Sequence, residues 1–478
     1  MRIIGIGALL LLTIGTSHAE VGDDAAWIEA ARAKYNIPGV SIAIVQRDQP
    51  TRFYSAGLCN VERAIPCTAQ HRLPLGSVTK SITGLLAATL ASEQRIDLDI
   101  PAIRYWPQIK LPDDRASQIT LRDLLTQQGG LGAVDWPYNW DLTLTREDYL
   151  ARLPLVPLAG PFRAGFAYAN ANFILGGKVL EEATGSTWES LVTERLLSPL
   201  GMSNSGFDAP AELTIGYGPA TAGRLEPFPY LSPHAIRPAG GLVTTATDFS
   251  RLIAMVLGEG KFSGSQIVPA AAIRTALSTG NTGKRGGYGL GLAFTRFRDQ
   301  LVFHHLGSMA GYSAAVLILP GRWGVIVLTN RTGSTFPEGL SFALLDRQLG
   351  NTGDDTLKRL GGPTITAAAP ETAGVIAPPA SAIADFTGFY RHAAWGEFAV
   401  ESAGTQLRIR LGSFAASLDS AGGESFSFLT APGWERISIT FQRDAGGRVT
   451  GFLMADGMNK SPQPFTKFNM QSRPRTGL

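Results

Sequence analysis

The sequence predicts an α/β sandwich followed by a small all-β module. Strand-like runs lie at both ends of residues 20–350 around a helical middle, an Ala/Pro/Thr-rich stretch follows at 351–380, and short alternating segments fill 381–478. Strands at both ends of a helical region favour one sheet that contains the first and the last of them. The 478 residues, 44% of them apolar, suffice for one large core and a smaller second one.

The first 19 residues are typical of a secretory signal peptide. Arg2 precedes an apolar run, and Ser17-His18-Ala19 matches a small-x-small cleavage site. The run is shorter than the roughly 20 apolar residues that span a bilayer, and an uncleaved anchor is the alternative interpretation. We expect cleavage after Ala19 and a mature protein that is secreted or periplasmic, with no stable membrane span once the leader is removed.

The helices and strands of residues 20–350 follow from hydrophobic periodicity. Residues 38–48, "PGVSIAIVQRD", alternate like a strand, and residues 77–94 read as a helix buried on most sides. Helices dominate to about residue 260. In "GSTWESLVTERLL" (185–197), Ser186 and Glu189 fit a capping box. Strand-like runs return in "YGLGLAFTRF", "YSAAVLILP" and "GVIVLTN" before a last helix, "GLSFALLDRQL".

The composition changes after residue 350. Residues 351–380 include "PTITAAAPETAGVIAPPAS", which is typical of a linker. Beyond it, segments such as "TGFYRH", "QLRIRL" and "ISITFQRD" alternate and are mostly separated by Gly or Asp turns. About eight closely spaced strands indicate a small antiparallel barrel or sandwich over 381–478.

Charge and cysteine content exclude several classes of function. The net charge of +3 is too small for a nucleic-acid binder, and no basic stripe is present. Cys59 and Cys67 lie eight residues apart, and in an oxidising compartment they could pair; two unlinked thiols are the alternative. No metal-site spacing of Cys and His and no H-E-x-x-H motif occurs. We therefore expect no metal and no cofactor.

The stretch "LGSVTKSITG" (75–84) places Ser77 three residues before Lys80 at the start of the predicted helix. Residues i and i+3 share a helix face, so the serine hydroxyl and the lysine amine can approach hydrogen-bonding distance. The positive end of the helix dipole favours an incipient alkoxide, and a lysine among apolar residues binds its proton less tightly. The spacing fits a nucleophile and its base. Taken alone, however, it is better explained by a solvated helix face.

Two further motifs occur once each and in a fixed order. Tyr168-Ala169-Asn170 is the only Tyr-x-Asn in the chain, and His305-Leu306-Gly307 is the only His-x-Gly. Ser-x-x-Lys is also unique. Taken singly, Tyr168 reads equally well as a core tyrosine, Asn170 as a helix cap and His305 as a buried partner of a backbone carbonyl. Three single occurrences together favour a catalytic set.

With these motifs the sequence resembles the serine β-lactamase and penicillin-binding protein superfamily. Within it, the sequence is similar to the branch of class C β-lactamases, DD-peptidases, D-aminopeptidases and esterases. Blocks such as "IPGVSIAIVQRD", "ITLRDLLTQ" and "RPAGGLVTTATDF" extend the resemblance over most of residues 25–348. It implies a beta-lactamase-like sandwich, with an antiparallel sheet flanked by helices and an all-helical region. The tail resembles a small β-barrel domain found in some members.

The resemblance implies roles for the residues of the first two motifs. Ser77 is the acylated nucleophile. Lys80 takes its proton or keeps the phenol of Tyr168 reactive. Tyr168 carries that proton to the leaving group and then activates the deacylating water. Which of the two is the formal base is left open, because their titrations are coupled.

The remaining residues are expected to bind the substrate. Asn170 donates its amide to a substrate carbonyl and helps to hold Lys80. The backbone N–H groups of Ser77 and Ser308 form the oxyanion hole. His305 and Gly307 line the edge of the cleft, where glycine lets a substrate backbone lie close to the strand.

Two departures from the family pattern limit what can be carried over. Class C β-lactamases usually have lysine at the position of His305, and histidine is more usual in the peptidase and esterase members. Residues 126–130 read "TQQGG", where the family commonly has threonine-histidine-threonine-serine-glycine. No counterpart of the class A deacylating glutamate is found, so deacylation depends on Tyr168.

The predicted function is that of an exported serine hydrolase that forms an acyl-enzyme on Ser77. It cleaves amide or ester bonds, with D-amino-acid peptides or small esters as the favoured substrates. One alternative is a β-lactamase. Another is a penicillin-binding or cell-wall-sensing module that acylates without turnover. The expected partner is a small-molecule or peptide substrate, and the sequence leaves the oligomeric state open.

Overall fold

A computed structural model describes residues 21–132, 142–208, 212–219, 224–228, 230–232, 234–283, 286–362, 380–404, 406–412, 414–430, 436–455 and 462–468. The predicted leader, residues 1–19, and most of the predicted linker lie outside these ranges. The described residues form a mixed α/β sandwich and a closed antiparallel barrel, which confirms the predicted fold class.

The α/β sandwich is built on a nine-stranded antiparallel sheet, with strand order β10-β11-β12-β13-β14-β15-β1-β2-β3. In chain order, the described strands before residue 330 are β1 (Gly39–Gln46), β2 (Arg52–Asn60), β3 (Ile65–Pro66), β4 (Leu73–Pro74), β5 (Gly216–Pro219), β6 (Leu225–Phe228), β7 (Val243–Thr244), β8 (Lys261–Phe262), β9 (Ser265–Gln266), β10 (Asn281–Gly283), β11 (Gly286–Tyr288), β12 (Ala293–Phe297), β13 (Gln300–Met309), β14 (Tyr312–Leu319) and β15 (Trp323–Thr329). β1 pairs with β15, with Val40 opposite Thr329. The first strand therefore lies beside the last in one sheet, as the sequence predicts.

Helices cover both faces of this sheet. In chain order, the described α-helices of the whole chain are α1 (Val21–Lys34), α2 (Thr79–Ser92), α3 (Leu121–Leu125), α4 (Arg146–Arg152), α5 (Asn170–Thr184), α6 (Trp188–Val192), α7 (Arg237–Gly240), α8 (Ala246–Leu257), α9 (Ala270–Ala276), α10 (Phe336–Gln348), α11 (Asp354–Leu360) and α12 (Ala380–Phe386), the last of which packs on the barrel. α8 packs on β1 and β15, and α10 packs on β14 and β15. Side chains alternate along a strand, so Val325 and Val327 join the core under α10, and Ile326 and Leu328 join the core under α8. β14 and β15 are buried throughout for this reason.

The predicted helix at residues 77–94 begins as a 3₁₀ turn, Gly76–Val78, and continues as α2. Four of its apolar residues, at helical spacing, are fully or almost fully buried, in agreement with a helix buried on most sides: Ile82, Leu85, Leu86 and Leu90. The predicted capping box at Ser186 and Glu189 is wrong. Thr187 caps α6 instead, because its hydroxyl accepts the backbone N–H of Ser190.

Eight strands close the C-terminal barrel in sequence order. They are β16 (Gly388–His392), β17 (Gly396–Ala403), β18 (Gln406–Leu411), β19 (Phe414–Gly422), β20 (Ser425–Leu429), β21 (Arg436–Arg443), β22 (Val449–Ala455) and β23 (Gln463–Phe468). β16 pairs with β23 and closes the ring. On β18 every second residue faces inward, and Leu407, Ile409 and Leu411 are buried there. Closure removes the open sheet edges that a sandwich would retain.

Helix α11 lies inside the range for which the sequence predicts a linker. Its Leu357 is buried, and the helix packs against α10. Tyr35 of the segment after α1 donates its hydroxyl hydrogen to the Leu357 carbonyl. The first residues of that range are thus part of the packed structure around the sheet.

A disulfide joins Cys59 on β2 to Cys67, which follows β3, with the two Cα atoms 4.8 Å apart. The predicted pairing is present in the structure, and it closes the short β2–β3 connection. Within the described ranges, no helix is both long enough and apolar enough to cross a membrane.

Candidate active site

Ser77 lies in the 3₁₀ turn that leads into α2. The residue before it, Gly76, has a φ of +52°, in the left-handed region that glycine adopts at little cost. A Cβ atom on Gly76 would lie 2.8 Å from the backbone nitrogen of Ser308. The turn can therefore lie directly against β13 only because no side chain is present at residue 76.

Lys80 is completely buried, and its amine lies among three oxygen atoms. The Nζ atom donates to Ser77 Oγ at 3.0 Å, to Asn170 Oδ1 at 2.6 Å and to the Ala239 carbonyl at 2.8 Å. Three acceptors match the three donors of an ammonium group. The side chain is buried, but its nitrogen has a polar environment.

Tyr168 contacts the same serine from the other side. Its hydroxyl donates to Ser77 Oγ at 2.8 Å. The side chain is 45% exposed, so the alternative of a core tyrosine is wrong. Lys80 Nζ lies 4.9 Å from the centre of the Tyr168 ring. Ser77 Oγ thus accepts from both groups that the sequence assigns to proton transfer.

Asn170 is the first residue of α5, and its side chain points to Lys80 rather than capping the helix. The N-cap is Ala169, which makes no side-chain capping bond. The alternative of a helix cap is therefore wrong, and the expected contact with Lys80 is present.

β13 supplies the opposite wall. A Cβ atom on Gly307 would lie 1.9 Å from the Leu75 carbonyl oxygen, so this strand touches the nucleophile turn through a bare backbone. The pairing of β12 with β13 ends at His304. From His305 to Met309 the strand pairs only with β14 among the described residues. Within the described ranges, its other edge therefore has no strand partner at these residues and lies beside the turn that holds Ser77.

His305 is buried and neutral. Its Nδ1 lies 2.6 Å from the Leu306 carbonyl, which can only accept, so Nδ1 carries the hydrogen. Nε2 then accepts from the Tyr288 hydroxyl at 2.8 Å. Burial, reinforced by the charge of Lys80, lowers the pKa of His305 to about 3. The contact with the Leu306 carbonyl is the one expected from the alternative interpretation of His305 as a buried partner of a backbone carbonyl. The ring of His305 also lies 6.2 Å from that of Tyr168.

This neutral histidine makes folding stability depend on pH. Its pKa is lower in the folded protein than in the unfolded chain, where it lies near 6.5, so the unfolded chain binds the proton first as pH falls. Stability should therefore decrease below pH 6.5, by about 2 kcal/mol from this group between pH 6 and pH 4. We expect urea unfolding to show a smaller loss over that interval for His305→Gln than for wild type. Identical losses would contradict the burial of a neutral imidazole.

Two residues that were not among the predicted site residues also contribute to the site. Gln127 accepts the N–H of Ala169 on its side-chain oxygen at 3.0 Å, and its backbone carbonyl accepts the N–H of Ala167 at 2.9 Å. It therefore holds the chain on both sides of Tyr168. Tyr288 is the second, through its bond to His305. Gln127 was not selected from the sequence; its place in "TQQGG", where the chain departs from the family pattern, is the signal that could have found it.

Among the residues that the structure describes, no group of three or more His, Cys, Asp or Glu side chains is placed to hold a metal ion.

Comparisons with known proteins extend the description. The family model named Beta-lactamase matches residues 25–348. The unguisins hydrolase ungD of Aspergillus violaceofuscus is 23% identical over 376 residues, which cover 70% of this chain and 66% of that protein. The chain thus spans about two thirds of the length of this curated relative.

Solved structures share the fold. The octameric penicillin-binding protein homologue from Pyrococcus abyssi superposes with a TM-score of 0.64 at 23% identity, over 94% of this chain and 100% of that one. The D-stereospecific amidohydrolase from Streptomyces sp. superposes with a TM-score of 0.56 at 21% identity, over 66% of this chain and 95% of that one.

Proposed function

We propose that this chain, which belongs to the beta-lactamase family as its match over residues 25–348 shows, is a serine hydrolase. It would work through an acyl-enzyme on Ser77. The observation that carries the proposal is the convergence of two proton-transfer groups on one oxygen. Lys80 Nζ and Tyr168 Oη lie 3.0 Å and 2.8 Å from Ser77 Oγ. A nucleophile within hydrogen-bond reach of its base, which a third group orients, is the arrangement that covalent catalysis requires.

Acylation begins when Ser77 Oγ attacks the carbonyl carbon of an ester or amide. In the arrangement shown, Lys80 and Tyr168 both donate to Ser77, so the reactive form is the one in which this pair has lost one proton. The pair then takes up the Ser77 proton and passes it to the departing alcohol or amine as the carbon–heteroatom bond breaks. Water attacks the acyl-enzyme, gives a proton to Tyr168, and Ser77 leaves with that proton.

The negative charge on the substrate oxygen is stabilised by backbone N–H groups of Ser77 and Ser308. Support comes from the close contact of the nucleophile turn with β13, which Gly76 and Gly307 permit. Donors fixed in a turn and a strand need no reorganisation when the charge develops.

The favoured substrates are D-amino-acid peptides or small esters. Neutral His305 disfavours a β-lactam antibiotic, because it offers no cation for the carboxylate that such a compound carries. The fold shared with a D-stereospecific amidohydrolase agrees with the favoured substrates. Efficient β-lactam hydrolysis is therefore the less favoured activity.

We also propose export, and a chain organised as a hydrolase module (20–350) and a C-terminal barrel module (381–478). The Cys59–Cys67 disulfide supports export, because disulfides persist in oxidising compartments. Cleavage after Ala19 is supported if the intact mass of the protein in an exported fraction equals that of a chain that begins at Glu20. A full-length mass found only in the cytosol contradicts it.

The test of the nucleophile is peptide mass spectrometry after incubation with a fluorophosphonate and, separately, with a penicillin. We expect the fluorophosphonate on the Ser77 peptide and no label on the Ser77→Ala variant. A stable penicillin adduct on the same serine favours the peptidase-like or sensing role, whereas loss of the lactam absorbance favours a β-lactamase. Labelling of Ser77→Ala to the wild-type extent would remove the basis of the proposal.

A further inference from the structure

Four rings form a closed group beside the nucleophile, which we call the aromatic quartet: Phe166, Tyr168, Tyr288 and His305. The ring centres are 6.3 Å apart for Phe166 and Tyr168, and 5.3 Å for Phe166 and Tyr288. They are 6.2 Å apart for Tyr168 and His305, and 5.7 Å for Tyr288 and His305. Distances of this size are those of interacting aromatic pairs.

Phe166 differs from the other three members. Tyr168, Tyr288 and His305 are each committed to a hydrogen bond, whereas Phe166 has only apolar surface to offer. The side chain is 54% exposed, although its ring packs on Tyr288. One aromatic ring, that of Tyr168, separates it from Ser77. An exposed apolar surface of this kind gains free energy when an apolar group covers it.

The charges around the quartet define what that group can be. Lys80 already places its amine 4.9 Å from the centre of the Tyr168 ring, so a second cation at this ring meets a like charge. The adjacent His305 supplies no charge to attract an anion, since burial and the charge of Lys80 keep its imidazole neutral. Lys80 thus disfavours a cation, and the exposed apolar surface of Phe166 offers no hydrogen-bond or ion-pair partner to an anion, so an uncharged group fits this surface.

We propose that Phe166, with the exposed part of Tyr168, forms an apolar subsite that binds an uncharged aromatic or branched aliphatic group of the substrate. The proposal rests on the proposed function of Ser77 and specifies its substrate class. The group can belong to the acyl part or to the leaving group, and the experiment separates these two sources.

Two ester series test the subsite in the full-length protein. In the acyl series the leaving group is always 4-nitrophenol, and the acyl group grows from acetyl to butyryl and phenylacetyl. In the leaving-group series the acyl group is always acetyl, and ethyl acetate is compared with benzyl acetate and 3,3-dimethylbutyl acetate by pH-stat. We expect kcat/KM of wild type to rise at least about tenfold with apolar size in one series, as apolar pockets discriminate.

The Phe166→Ala variant should lose that preference, mainly through a higher KM for the larger substrates, and Phe166→Leu should restore part of it. Phe53→Ala is the matched control, because Phe53 is 43% exposed on β2 and three strands separate β2 from β13. We expect this control to keep the wild-type preference.

Acetylcholine provides the charge comparison, since it has the shape of 3,3-dimethylbutyl acetate with a positive nitrogen in place of carbon. Wild type should prefer the neutral ester. A preference for acetylcholine would overturn the proposal. So would an equal loss of kcat/KM on all esters in Phe166→Ala. The proposal would also fall if an enzyme whose Ser77 is labelled by a fluorophosphonate turned over none of the esters. Absence of that labelling would instead refute the proposed function itself.

Discussion

Replacing Lys80 with methionine is expected to lower kcat/KM for any turned-over ester or amide by at least about 10³-fold, the scale seen when one member of a catalytic unit is removed. Methionine keeps most of the side-chain length and removes the amine. Ser77 Oγ then loses one of its two donors, and Asn170 Oδ1 and the Ala239 carbonyl lose theirs. Steady-state kinetics measure the loss, and the rate of fluorophosphonate labelling of Ser77 should fall with it.

The control must separate lost chemistry from lost folding, because Lys80 is completely buried. Thr83→Val offers the match. Thr83 lies on the same helix, is fully buried, and donates to the Pro238 carbonyl at 2.7 Å without touching Ser77. Loss of this hydrogen bond should lower the free energy of unfolding by about 1 kcal/mol and leave kcat/KM nearly unchanged. If Lys80→Met keeps wild-type kcat/KM, Lys80 has no part in proton transfer.

Tyr168→Phe is expected to lower kcat/KM by about 10²–10⁴-fold, the contribution typical of a positioned acid–base group. The phenylalanine ring keeps the contacts with Phe166 and His305, so only the hydroxyl bonded to Ser77 Oγ is lost. Because the same hydroxyl is assigned to deacylation, the acyl-enzyme should accumulate. Quenched-flow mass spectrometry of the Ser77 peptide measures that accumulation.

Tyr35→Phe serves as the control for Tyr168→Phe. It removes a hydroxyl bonded to the Leu357 carbonyl, on the face of the sheet where α10 and α11 pack. Activity should be retained in this variant. If the two variants have equal rates, Tyr168 is a wall of the cleft and Lys80 alone carries the proton.

Local spacing made part of the site predictable. Ser77 and Lys80 are three residues apart at the start of a helix, so their contact follows from helix geometry. The acceptors that complete the environment of Lys80 come from Asn170 and Ala239, far along the chain. Ala239 contributes only a backbone carbonyl. Every residue type has this group, so nothing in the sequence indicates its role. Gln127 acts through similar long-range bonds and was missed, although the departure from the family pattern at residues 126–130 could have indicated it.

The helices and strands were predictable where hydrophobic periodicity is strong. They were less predictable where adjacent residues are equally suited to the same structural role. Adjacent Ser186 and Thr187 are both good cap residues, and only the bond to the Ser190 N–H selects Thr187. The barrel could not be told from a sandwich by alternation alone. Closure depends on the pairing of β16 with β23, such as Phe389 with Phe468, which lies far outside any local pattern. Helix α11 was missed because it lies in a stretch whose overall composition is that of a linker.

The pairing of β1 with β15 has a consequence for how the protein is made. Val40 pairs with Thr329 in the interior of the sheet, so this strand pair cannot form until the ribosome has added nearly all of the sandwich. Pairings between residues so distant in sequence also form slowly, because a long loop must close first. A nascent chain therefore lacks the pairing that joins the first and last strands during most of its synthesis. A chain in that state suits a translocation channel that admits only unfolded polypeptides.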